Sequence, residues 1–140
     1  MISAAARVES NLQQRNYPVK TILVVDDAPM IRELIKGILE PEGYAIVEAG
    51  DGEEALEIIK KHKIDLSIID IFLPKKGGLQ VMGEIVKLDK GHKLIAISGG
   101  ESFNPESILE LANIFEVAET FTKPIDTARL LRTVKKMLND

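Results

Sequence analysis

From Lys20 onward the chain alternates short apolar runs with longer stretches whose apolar residues recur at helical spacing. Runs at 21–25, 45–49, 66–69, 94–97 and 120–122 are rich in β-branched residues and leucine and predict strands. Several are continuously apolar rather than alternating, which is the pattern of strands covered on both faces. Between the first two, Ile31, Leu34, Ile35, Ile38 and Leu39 fall on one side of a helix. Pro29 suits its first turn, and Pro41 with Gly43 ends it.

A second helix is expected after Gly50-Asp51-Gly52, burying Ala55, Leu56 and Ile59. A third follows Gly77-Gly78 and turns Val81 or Met82, Ile85 and Val86 inward. A fourth begins near Asn104-Pro105, where Asn104 can cap and Pro105 can occupy the first helical position. The last starts at Asp126 and carries Leu131, Val134 and Leu138 along one face. Five strand-helix units predict an open parallel α/β sheet with right-handed crossovers. Residues 1–19 are polar, poorly periodic and carry Pro18, so they are expected to form a flexible or partly helical extension ahead of a single domain at 20–140.

Parallel strands would bring five polar residues to one sheet edge. Asp26 and Asp27 follow the first run, Asp70 the third, Ser98 the fourth and Lys123 the fifth. In such sheets ligands sit beyond the carboxyl ends of the strands, at the switch in strand order. Two carboxylates at ~4 Å repel by about 4 kcal/mol at a surface-like dielectric. Three of them with one ammonium call for a divalent cation, which brings the local charge to zero.

A hard ion such as Mg²⁺ takes carboxylate oxygens, waters and phosphate oxygens. Asp27 and Asp70 can bind it directly, with Asp26 close by. Asp70, kept ionised by the metal and Lys123, can attack phosphorus as a nucleophile. The transferring oxygens then find partners in the metal, Lys123 and either the Ser98 hydroxyl or nearby backbone N–H groups.

Composition narrows the alternatives. The chain has 140 residues, 45% hydrophobic and 29% charged, with a net charge of −4, which fits a globular domain and speaks against a nucleic-acid surface. It has no cysteine, so thiolate metal sites and disulfides are excluded. Apolar runs reach about five residues, far below the ~20 that span a bilayer, and the start lacks a secretory pattern. These features point to the cytoplasm. Gly99-Gly100 is too short to cradle a nucleotide phosphate and no Walker-type loop exists, which argues against self-phosphorylation from ATP. His62 and His92 stand among lysines and are expected to be solvated, as are Lys60, Lys61 and Lys63 at a helix end.

With these residues in place the chain resembles the receiver domains of two-component response regulators. The resemblance rests on Ile22-Leu23-Val24-Val25-Asp26-Asp27, Ala49-Gly50-Asp51-Gly52-Glu53-Glu54-Ala55-Leu56, Asp70-Ile71-Phe72-Leu73-Pro74, Ile97-Ser98 and Thr122-Lys123-Pro124. It implies a flavodoxin-like, doubly wound fold with strand order 2-1-3-4-5 and five helices. It implies that Asp70 is the phosphoacceptor, served by a sensor histidine kinase or a histidine phosphotransfer protein. Mg²⁺ or Mn²⁺ would be held by Asp27, Asp70 and the backbone carbonyl of Phe72, with Asp26 assisting. Ser98 would be the switch hydroxyl and Lys123 the phosphoryl contact, and the Lys123–Pro124 bond would be cis. The only chemistry implied is the domain's own phosphorylation and dephosphorylation. The resemblance also implies signalling by docking to a downstream protein, with no direct nucleic-acid or membrane contact, as a monomer or a weak phosphorylation-dependent dimer.

Some positions depart from the family pattern. Thr120 stands where an aromatic switch residue is common, and Gly77 where Asp or Asn is frequent. Phe72 and Gly100 flank the pocket as a bulky and a bare residue. With no large side chain at 120, the expected output is movement of the 99–104 loop and the following helix, with Phe103 changing exposure. The chain is expected to act as a stand-alone receiver without an output domain, leaving phosphorelay carrier and docking switch both open. Haloacid-dehalogenase-type phosphatases use a similar Asp, Ser/Thr and Lys set. Their nucleophile, however, lies in an Asp-x-Asp motif on the first strand, and Asp26-Asp27-Ala28 lacks that spacing. A degenerate receiver kept only for binding would be expected to have lost part of the five-residue set, which is complete here.

Overall fold

The computed structural model describes residues 19–99 and 119–139. Five parallel strands form one sheet: β1 (Thr21–Val25), β2 (Ala45–Ala49), β3 (Leu66–Asp70), β4 (Lys93–Ser98) and β5 (Glu119–Thr122), in the order β2-β1-β3-β4-β5. Four helices are described: α1 (Pro29–Leu39), α2 (Gly52–Lys61), α3 (Gly78–Leu88) and α4 (Thr127–Leu138). The helix expected from Asn104-Pro105, together with Gly100, Phe103 and the extension up to Pro18, lies outside the described residues.

The alternation along each strand divides the interior into two cores. Leu23 and Val25 of β1 join Ala55, Leu56 and Ile58 of α2 and Val81, Met82 and Ile85 of α3. Ile22 and Val24 point the other way, to Ile35 and Leu39 of α1 and Leu130, Val134 and Leu138 of α4. Burying each such side chain contributes about 1.5–3 kcal/mol, so both faces hold the sheet firmly. This explains the near-continuous apolar runs.

Helix boundaries follow local chemistry. Pro29 opens α1, and a short 3₁₀ turn at Glu40–Glu42 leads to Gly43, whose φ of 97° takes the chain into β2. Asp51 caps α2 by accepting from the Glu54 N–H at 2.9 Å, and Asp126 caps α4 by accepting from Arg129 N–H at 3.0 Å. Such caps contribute about 1 kcal/mol each. The buried faces differ slightly from those expected. In α2 Ile58 is buried and Ile59 packs at the margin; in α4 Leu130 is buried and Leu131 is the marginal one. Leu34 of α1 is 42% exposed.

His92 is a correction. It is not solvated but 7% exposed, its Nε2 lying 2.8 Å from the Ser67 hydroxyl and its Nδ1 3.5 Å from Asp89. The packing of the turn before β4 against β3 encloses it, whatever its lysine neighbours in sequence.

Candidate functional site

Register decides the site. Val25 pairs with both Ala49 and Ile69, Asp70 with Ile97, and Ser98 with Thr122, so the carboxyl ends of the strands lie side by side. Asp26 and Asp27 leave β1, Asp70 closes β3, Ser98 closes β4 and Lys123 follows β5. The carboxylates of Asp26, Asp27 and Asp70 offer oxygens that all lie within 4.8 Å of one another. Asp26 and Asp70 are buried and Asp27 is exposed.

Lys123 joins this cluster from two strands away. Its Nζ lies 3.1 Å from Asp70 Oδ2, with a hydrogen bond, and 3.1 Å from Asp26 Oδ2. The second contact is an ion pair out of line for a hydrogen bond, and Asp26 Oδ2 is a buried oxygen with no hydrogen-bond partner. Burial works to lower the Lys123 pKa, but its contacts with Asp26 and Asp70 outweigh burial and raise it above the usual 10.5. The ammonium is therefore charged throughout the neutral range. The Lys123–Pro124 bond is cis.

Backbone donors fix the remaining carboxylate oxygens. Ala28 N–H donates to Asp26 Oδ1 and Phe72 N–H to Asp70 Oδ1, each at 2.9 Å. Both are turns two residues long, typical of aspartate at a strand end. Lys123 N–H donates to the Ser98 carbonyl at 2.8 Å, which ties β5 to β4 beside the Ser98 side chain. Gly78 closes the site from below: a Cβ there would stand 2.2 Å from the Asp70 carbonyl oxygen, so α3 begins directly against the backbone of the central carboxylate. Phe72, 50% exposed, stands at the rim.

The donor set suits a hard divalent cation: three carboxylates, one buried oxygen lacking a hydrogen bond, and no nitrogen or sulfur ligand among the three clustered residues. One neighbour carried no sequence signal. Arg32 of α1 donates from Nη1 to the Asp26 carbonyl at 2.6 Å and from Nε to Glu48 Oε1 at 3.2 Å. A bond to a main-chain carbonyl leaves no trace in residue identity or spacing.

Residues 22–135 match the response regulator receiver domain family. The chain belongs to that family. Among curated relatives of this receiver, the response regulator GtcR of Aneurinibacillus migulanus is 44% identical over 93 residues, covering 66% of this chain and 37% of GtcR. The chain thus spans little more than a third of that relative. The chemotaxis protein CheY of Bacillus subtilis is 36% identical over 121 residues, 84% of this chain and 97% of CheY. Among solved structures, the response regulator protein TrrA from Thermotoga maritima, in complex with Mg²⁺-BeF, superposes with a TM-score of 0.74 at 39% identity, covering 85% of this receiver and 99% of TrrA. The strand order and doubly wound layers are those of the receiver fold. Among the described residues of this receiver no helix is long and apolar enough to cross a membrane.

Proposed function

We propose that this receiver accepts a phosphoryl group on Asp70 from the phosphohistidine of a sensor histidine kinase or histidine phosphotransfer protein, and signals by docking to a downstream protein. The observation that carries the reading is the pair of buried carboxylates, Asp26 and Asp70, bridged by one ammonium, beside a third carboxylate open to solvent. Asp26, Asp27 and Asp70, with the Phe72 carbonyl, would hold Mg²⁺ or Mn²⁺, which when bound offsets the negative charge that would otherwise repel phosphate.

The protein's own groups account for the rest. The Asp70 side chain is only 5% exposed, so phosphorus reaches it on a projecting side chain or on a small molecule. A carboxylate oxygen of Asp70 forms the new P–O bond as the P–N bond of the phosphohistidine breaks, and its electron pair returns to the imidazole nitrogen. Lys123 holds Asp70 in place beforehand and compensates charge on the phosphoryl oxygens afterwards. Ser98, at the end of the neighbouring strand, would follow the phosphoryl group with its hydroxyl.

The test is labelling by a small phosphodonor such as acetyl phosphate. The parent should incorporate one phosphoryl group in Mg²⁺ and none in EDTA, and Asp70→Asn should incorporate none. Undiminished labelling of Asp70→Asn would overturn the assignment. Many turnovers of a generic phosphate ester would favour a phosphatase instead.

A further inference from the structure

We infer that Arg32 is a positioning residue for the divalent-ion site, acting on the direction of the peptide between Asp26 and Asp27 rather than through its charge. The inference rests on the proposed ion binding at Asp26, Asp27 and Asp70. The Asp26 carbonyl and the Asp27 N–H share one rigid plane. Whatever pins that carbonyl therefore sets where the Asp27 backbone starts and how its carboxylate meets that of Asp26.

Two contacts hold this stretch of backbone. Asp26 N–H donates to the Ala49 carbonyl of β2 at 3.1 Å, and Arg32 Nη1 donates to the Asp26 carbonyl at 2.6 Å. Arg32 is itself held. Its Nε donates to Glu48 Oε1 at 3.2 Å, Lys36 Nζ lies 3.8 Å from Glu48 Oε2, and the Arg32 side chain is only 19% exposed. It passes over Gly50, where a Cβ would lie 3.6 Å from Nη1. A planar fork can reach a carboxylate on β2 and a carbonyl at the end of β1 together; an ammonium on a flexible stem cannot hold both directions.

Arg32 and Lys36 share the one carboxylate of Glu48, and what Arg32 adds is a directional hydrogen bond to the Asp26 carbonyl. Mg²⁺ tolerates little deviation from octahedral placement of its ligands. Groups that orient metal ligands without touching the metal typically alter affinity by 10–100-fold.

The experiment titrates Mn²⁺ into the full chain, reading free Mn²⁺ by electron paramagnetic resonance, with Mg²⁺ competition. Thermal unfolding and the metal-free Asp27 amide resonance are recorded alongside. Arg32→Gln and Arg32→Lys should each weaken Mn²⁺ binding roughly 10-fold and shift the Asp27 amide before metal is added. Glu48→Gln should weaken binding by less, and Arg32→Gln with Glu48→Gln by no more than Arg32→Gln alone. Parent affinity in Arg32→Lys would overturn the inference, whatever its melting temperature. If the Arg32 variants do not fold, unchanged Mn²⁺ affinity in Glu48→Gln overturns it. A parent that binds no Mn²⁺ removes the proposed ion site and this inference together, whereas a binding parent with unaltered variants overturns the inference alone.

Discussion

His92 shows how far one side chain's surroundings can depart from its neighbours in sequence. Burial lowers its pKa from the usual 6.5, against the opposing pull of Asp89 and Asp65. The folded state therefore binds a proton less readily than the unfolded chain. Stability is fully present above about pH 6.5, and is lost as pH falls from there through the lower folded-state value. Replacing His92 by Gln should flatten that part of a stability–pH curve measured by urea unfolding between pH 7.5 and 5. An unchanged slope would mean that other groups carry it. The cluster of Asp26, Asp27, Asp70 and Lys123 is legible in the sequence because each residue follows an apolar run. The burial of His92 is not, because its partner Ser67 lies 25 residues away, and the role of Arg32 is not, because its partner is a carbonyl.

Elements are legible where they are punctuated. Pro29, Asp51, Gly78 and Asp126 mark helix starts within a residue, whereas the inward face of α4 is centred on Leu130 and not on the expected Leu131. Adjacent leucines flank one helical stripe, and only the angle at which the helix meets the sheet chooses between them. The join between β3 and α3 gives a sharp test. Gly78→Ala would place a methyl 2.2 Å from the Asp70 carbonyl oxygen and 2.6 Å from Ile71 Cα, both backbone. Overpacking of this kind destabilises by about 1–3 kcal/mol, and phosphoryl acceptance should fall with it because Asp70 moves. Gly77 has open space at its Cβ and a φ of −62°, so Gly77→Asp should leave stability within a few tenths of a kcal/mol or raise it slightly as an N-cap. Chemical unfolding of the two variants checks both, and equal losses would refute the contrast.

Across the whole molecule, a divalent ion held at the carboxylate edge would couple binding to folding. An ion that binds only the folded state at 100 times its Kd adds about 2.7 kcal/mol. At roughly 3 °C per kcal/mol for a domain of this size, saturating Mg²⁺ should raise the melting temperature by about 8 °C over EDTA. Asp27→Ala, exposed and outside both cores, should remove most of that rise while the EDTA melting temperature stays near the parent's. A full rise in Asp27→Ala would exclude Asp27 as a ligand.

Strand order has a further consequence at the margin of the sheet. Among the described residues β2 pairs with β1 alone, which makes it an edge strand, yet Ala45, Ile46, Val47 and Ala49 are each only 1–3% exposed. Ala45-Ile46-Val47-Glu48-Ala49 would be an unbroken apolar strip without its one charge, and Arg32 and Lys36 hold that charge in place. An open, flat, apolar edge is a template on which further copies can add strand by strand. Here that strip is buried, and Glu48, held to Arg32 and Lys36 of α1, adds a charge at the margin that further copies would have to desolvate.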